Sequence, residues 1–216
     1  MSYPDLPWYL RGDGPLIAAA FWLPLQEIAP MIPEPLRLVR IGRGRTLGGI
    51  FFNRFGPGSD VEYNKIAIAP ALVRWGRCFG FYTHRMYVDN RHAMTGVYEA
   101  SGIRKELADF EWNHEKRRIR VAQEGVQVCE LAYKTFPCVL PRFPLPMPGL
   151  GVVSRRIMHF RGVWRGRLGL AAVAVEAPPW SPFSVVSGRR PLIGVSVKDW
   201  VAHLFYPIRE MTLDVA

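Results

Sequence analysis

The sequence predicts a mainly β chain, and three observations carry that prediction. Apolar and polar residues alternate over much of the segment from 36 to 134, the period of a half-buried strand. Turn signals such as Gly56-Pro57-Gly58-Ser59 and Asn90-Arg91 recur about every ten residues, the spacing of an antiparallel sheet or barrel. Helical spacing is confined to two short stretches, 24–31 and 197–205.

The elements follow in order. Residues 1–14 mix Pro, Gly, Asp and aromatics without periodicity and read as an irregular arm. Residues 15–21 form an apolar strand. Residues 24–31 form a short helix, with Pro24 in its first turn and Leu25, Ile28 and Met31 on its apolar face. Pro33 and Pro35 end it. Strands are predicted over 36–41, 46–55 and 63–73, the last with an edge or bulge at Pro70. Residues 79–89 form another strand. Residues 117–124 and 126–134 alternate on either side of Gly125. Five prolines among the sixteen residues 136–151 predict a stiff loop. Strands resume at 157–163 and 169–176, and 178–187 reads as a second irregular loop. The spacing of Val197, Val201, Leu204 and Phe205 predicts a short helix, broken by Pro207 and followed by a closing strand over 211–215. Composition is alike on both sides of the Pro-rich segment, so one domain over 1–216 is expected.

Composition narrows the class further. The chain is 49% hydrophobic and 12% aromatic, which excludes a disordered protein. No run of 18 apolar residues is present, which argues against a spanning helix, and the apolar run at 16–25 lacks a basic flank, which argues against a secretory signal. Cys78, Cys129 and Cys138 are three cysteines without CxxC spacing, the pattern of reduced thiols in a cytoplasmic protein. No pair of the five histidines has the spacing of metal ligands on a helix, and no metal is expected. The net charge is +10, with 23 Arg against only five Lys. The basic residues are dispersed and form no nucleic-acid motif, so an anionic small molecule accounts for the charge as well as a nucleic acid does.

Scarcity makes each lysine informative. Lys105 lies in Gly102-Ile103-Arg104-Lys105-Glu106-Leu107, between apolar residues and beside a cation. A lysine becomes nucleophilic when desolvation or a neighbouring cation lowers its pKa and leaves a free amine near neutral pH. Such an amine condenses with a ketone or keto acid, and the iminium formed is an electron sink. A Lys between Arg and Glu is equally the pattern of a solvated surface.

The segment from Met86 to Leu107 resembles the core of the acetoacetate decarboxylase family. Met86-Tyr87-Val88-Asp89-Asn90 is similar to its Met-Tyr-x-Asp-Asn strand end, and Arg104-Lys105-Glu106-Leu107 stands where it carries Pro-Lys-Lys-Leu. Pro33-Glu34-Pro35-Leu36 resembles an early signature, and Tyr63-Asn64-Lys65 falls where Tyr-x-Glu is often found. The resemblance implies a cone-shaped antiparallel β-barrel with flanking sheet and a few short helices. It also implies a homo-oligomer, a keto acid or ketone substrate, no cofactor, and Lys105 as the Schiff-base lysine. Four positions depart from the pattern: Glu106 replaces the second lysine, Arg104 the proline, Lys65 the glutamate and Tyr98 an arginine, while Glu99 is retained.

The expected function is therefore a Schiff-base lyase acting by decarboxylation, aldol, retro-aldol or dehydration chemistry. Lys105 is the expected catalytic residue, with Lys65, Arg104, Glu99, Glu106 and Tyr63 binding substrate or tuning the amine. The alternative is a non-catalytic barrel that binds a small apolar or anionic ligand. No membrane association is expected.

Overall fold

A computed structural model of the chain describes residues 6–95, 97–113 and 115–212. Side chains 138–139, 205–209 and 212 fall outside the description. Strands dominate, as the alternation predicts, and short helices fill the gaps.

Strands β1 (Trp8–Arg11) and β2 (Leu16–Pro24) precede helix α1 (Leu25–Ile28), which continues as a 3-10 turn over Ala29–Met31. After β3 (Arg37–Leu38), β4 (Arg45–Phe55) pairs antiparallel with both β2 and β5 (Tyr63–Ala69). Pro70 divides the run at 63–73, so that β6 (Ala71–Trp75) turns away to pair with β7 (Cys78–Tyr82). The next elements are β8 (Arg85–Val88), α2 (Arg91–Thr95), α3 (Tyr98–Ser101) and β9 (Lys105–Leu107). Strand β10 (Asp109–Asn113) pairs with β11 (Arg118–Gln123), and three long strands follow: β12 (Val126–Val153), β13 (Arg156–Glu176) and β14 (Ile193–Thr212). Among the described residues these strands form one sheet along the path β3-β6-β7-β12-β13-β14-β2-β4-β5-β8-β9, mostly antiparallel. Parallel pairing occurs at β8/β9 and at β12/β7.

The predicted strand at 79–89 is divided into β7 and β8, the predicted strands at 157–163 and 169–176 are joined in β13, and three further segments differ in kind from the sequence prediction. The expected irregular arm contains β1, which pairs with β14 and buries Trp8 and Leu10. The expected Pro-rich loop is strand: residues 136–151 continue β12 and stay paired with β13, with register shifts between Thr135 and Phe143. Pro144, Pro146 and Pro148 stand two residues apart, so their missing N–H groups all fall on one edge, away from the ladder that β13 completes. The expected helix at 197–205 is also strand. Asp199 adopts φ 50° and the β13/β14 register shifts between Arg165 and Arg167, placing an extra residue there. That bulge resets the alternation, so Val197 and Trp200 are both buried three residues apart and mimic a helical interval. Of the closing strand, Met211 and Thr212 belong to β14 and residues beyond 212 lie outside the described part.

The sheet buries both faces. One face packs Ile17, Ile50, Phe52, Ile66 and Ile68 in one core. The other packs Trp8, Leu16, Phe55, Tyr63, Ala67, Met86 and Val88 in a second. Successive residues of β4 and β5 alternate between the two cores, and the second core holds the lysines. No helix among the described residues is long and apolar enough to cross a membrane.

Candidate active site

The site begins with the two acidic and amide residues that end β8. Asp89 accepts hydrogen bonds from the Asn64 backbone N–H at 2.7 Å and from its side-chain amide at 2.6 Å, which ties β8 to β5. The Asn90 side chain accepts from the His92 and Ala93 N–H groups at 2.8 and 3.3 Å and so caps α2. These bonds fix the Ala93 carbonyl, which accepts a 2.6 Å hydrogen bond from the Lys105 Nζ. Gly102, at φ 68°, ends α3 in the left-handed region and returns the chain into β9. The Ser101 hydroxyl secures that return by donating to the Val97 carbonyl at 2.8 Å and accepting from Ile103 N–H at 3.2 Å.

Alternation then separates the three central residues. Ile103 and Lys105 point inward, with Lys105 only 9% exposed, while Arg104 is exposed. The guanidinium of Arg104 therefore does not supply the missing inward cation. Glu106 points to the opposite face, where it pairs with Arg85 at 3.3 Å. Glu99 stands on α3 and pairs with Arg156 at 2.7 Å, largely exposed. Of the residues singled out from sequence, the fold brings together Lys105, Lys65 and Tyr63. It leaves Arg104, Glu106 and Glu99 outside the lysine-bearing core.

Lys65 is the inward cation. It lies on β5, 2% exposed, with its Nζ 5.1 Å from the Phe51 ring centre and 4.9 Å from that of Phe55. The Lys105 Nζ sits 5.2 Å from the Trp8 ring and 5.9 Å from that of Tyr63. Ring faces attract cations, but they do not replace the hydration that two ammonium groups lose on burial. Burial lowers the Lys65 pKa from the ordinary value to about 7. Lys105 is lowered well below that ordinary value, first by burial and then by the charge on Lys65. The Tyr63 hydroxyl is buried, and its pKa is raised by burial and by Asp89, so it stays protonated. Two amines in one apolar core thus favour a free amine near neutral pH, and Lys105 is the one that both effects act on.

A cavity of about 50 Å³ opens beside Lys65, walled by Phe51, Thr83, Met86, Ile103, Phe160 and Trp164, among others. Lys65 lines it, whereas the Lys105 amine is drawn to Ala93 behind Met86 and Ile103, its neighbours in register and sequence. Trp164 lines it, whereas Phe183 belongs to the opposite core and Trp180 is exposed.

Sequence inspection missed Asn53. It is fully buried and stands opposite Lys65 in the β4/β5 register, between Phe51 and Phe55 on the same face. Its amide oxygen and nitrogen, the Tyr63 hydroxyl and the Trp164 Nε1 have no hydrogen-bond partner among the described residues. Buried polar atoms are nearly always paired, so unpaired ones on the face that carries the lysines are an exception to that rule. The polar position in the otherwise apolar run Gly48-Gly49-Ile50-Phe51-Phe52-Asn53 is the signal that would have found Asn53.

Fold and site define the class first: a large, mainly antiparallel sheet with a pair of desolvated lysines and a small cavity on one buried face. A family model described as acetoacetate decarboxylase matches residues 1–145, and the chain belongs to that family. Solved structures agree in fold. The acetoacetate decarboxylase of Legionella pneumophila aligns with a TM-score of 0.66 at 11% identity, covering 96% of this chain and 88% of that one. An acetoacetate decarboxylase-like enzyme from Sphingomonas wittichii RW1 aligns with a TM-score of 0.66 at 11% identity, covering 98% and 96%. The enduracididine biosynthesis enzyme MppR, in complex with the condensation product of pyruvate and imidazole 4-carboxaldehyde, aligns with a TM-score of 0.63 at 12% identity, covering 98% and 91%. No curated protein sequence matches the chain.

Proposed function

We propose that this protein is a Schiff-base-forming lyase that acts on a keto acid or ketone through Lys105. The observation that carries the proposal is the burial of Lys105 beside a second buried lysine, since burial and the charge on Lys65 both favour the unprotonated amine. Family membership and a structural neighbour bound to a pyruvate condensation product support the same chemistry.

The free Lys105 amine adds to the carbonyl carbon, and the carbonyl oxygen takes up a proton to become a hydroxyl. Loss of that hydroxyl as water leaves an iminium whose nitrogen is positively charged. With a 3-oxo acid, the bond to the carboxylate breaks, carbon dioxide leaves, and the electron pair enters the iminium to give an enamine. With a 2-oxo acid, a proton leaves C3 instead. The resulting enamine can add to an aldehyde, and loss of water completes a condensation. After decarboxylation the enamine carbon takes up a proton and the iminium is restored; in either case water then adds to the iminium carbon, the C–N bond breaks, and the amine is returned as the carbonyl product leaves. Burial holds the Lys105 amine deprotonated, and Lys65, in place of the neighbouring cation that Glu106 cannot supply, adds to that effect. Residues 1–216 act as one domain, and the protein is a cytoplasmic homo-oligomer.

Borohydride reduction in the presence of acetoacetate, pyruvate and longer keto acids tests this reading. The expected result is one covalent adduct, mapped by mass spectrometry to Lys105 and absent from Lys105→Ala. An adduct on Lys65 alone, or none across the panel, contradicts it.

A further inference from the structure

A second cavity, of about 180 Å³, adjoins the first. Phe51, Phe81, Met147 and Trp164 line both, so the two spaces share a wall of four side chains. The second is a trough laid across four strands. Ala69 stands four residues beyond Lys65 on the same face of β5, about 13 Å away along the strand. Gly49 is opposite Ala69, Ala20 is opposite Gly49, and Ala18 lies next along β2 on that face. These residues have almost no side chain, and that is why a trough exists where neighbouring positions would fill it. Its mouth carries Leu145 and Ile193, both substantially exposed. No charged side chain lines it among the described residues.

The two ends of this space differ in chemistry. Lys65 lines the inner end, with no carboxylate beside it in that lining among the described residues. The Asn53 amide, unpartnered and able to donate through Nδ2, stands opposite Lys65 in the β4/β5 register, and the unpartnered Nε1 of Trp164, a donor, belongs to the shared wall. That end suits an anion. The outer end suits a hydrocarbon. We propose that the substrate is a 2-oxo acid with an apolar tail, its carboxylate held by Lys65 and Asn53 and its tail laid in the alanine-glycine trough. This rests on the Lys105 reading for the chemistry but not for the binding. The carboxylate beside Lys65 puts the adjacent 2-oxo carbon at the inner end and sends C4 and beyond toward Ala18 and Ala20.

Binding measured by calorimetry without reductant separates the two claims. Each methylene removed from water favours binding about fourfold, so a tail seated in the trough accumulates a large preference. The expected result is that 2-oxooctanoate binds at least tenfold more tightly than pyruvate and at least tenfold more tightly than 2-octanone, which lacks the carboxylate. Ala18→Phe fills the trough floor, and Ala20→Phe fills it nearer the mouth should the first variant fail to fold. In either, the ratio of 2-oxooctanoate to pyruvate affinity falls toward one. A ratio near one in the unmodified protein overturns the tail site, and 2-octanone binding as tightly as the acid overturns the carboxylate site. A ratio of one together with a dimer that Ala18→Phe dissociates would mean that a second copy of the chain fills the trough, which also overturns it. Tail-dependent binding without a borohydride adduct upholds this inference and removes the Lys105 chemistry alone.

Discussion

At the residue scale, two buried amines share one apolar core; burial disfavours the charge on both, and the charge on Lys65 adds to that cost at Lys105. Lys65 has a pKa of about 7 in the fold against 10.5 in an unfolded chain. Between those values the unfolded chain binds a proton that the folded chain does not. Folding stability therefore rises with pH through that window and is lowest below about pH 7. Lys105, lowered in the same direction, adds to the same slope. Each group contributes up to about 1.4 kcal/mol per pH unit within its window. The urea midpoint is expected to rise from pH 7 to pH 9. Lys65→Met, which keeps the volume and loses the charge, raises the midpoint at pH 7 and flattens the rise. A midpoint that is flat across this range, or one that Lys65→Met lowers at pH 7, contradicts a desolvated ammonium at this position. Asn53 is the counterpart among neutral groups: its amide is buried opposite Lys65 without a partner among the described residues.

At the scale of elements, the site depends on how closely α3 and β9 approach the end of β12. A Cβ on Gly151 would lie 1.8 Å from the Ser101 carbonyl oxygen, a backbone atom that cannot rotate away. Gly151→Ala therefore forces α3 and the chain entering β9 to shift. A destabilisation of about 1–3 kcal/mol is expected, together with slower borohydride trapping at Lys105. Unchanged stability and trapping would show that β9 does not lean on this contact. Much of the element order was legible in the sequence, because β2, β4 and β5 are largely apolar runs that stop at a Gly or Pro, and β11 alternates up to the turn at Gly125. Two failures have local physical causes. Prolines spaced by two suggested a loop, yet that spacing puts every missing donor on one edge and leaves the other edge free to pair with β13. A bulge at Asp199 moved an apolar residue by one position and imitated a helical turn. Periodicity alone cannot distinguish a bulged strand from a helix.

At the scale of the whole molecule, one sheet supports two cores, and the alternation that builds them also sorts the site. It sends Lys65, Tyr63, Asn53 and Lys105 to one face, and it sends Glu106 to the other. The motif around Lys105 was legible because it is local. The Met-Tyr-x-Asp-Asn run also has a structural task, since Asp89 and Asn90 build the turn that presents Ala93 to the lysine. The trough was not legible, because Ala69, Gly49, Ala20 and Ile193 meet only through the register of four strands that are distant in sequence. The central claim is that this fold keeps the Lys105 amine free near neutral pH by burying it beside Lys65. The most direct test is the rate of borohydride trapping at Lys105 as a function of pH, in the unmodified protein and in Lys65→Met. The account predicts a rate that levels off well below the ordinary lysine pKa, and an inflection that moves to higher pH once the Lys65 charge is gone. An inflection at the ordinary lysine value, unmoved by Lys65→Met, would contradict it.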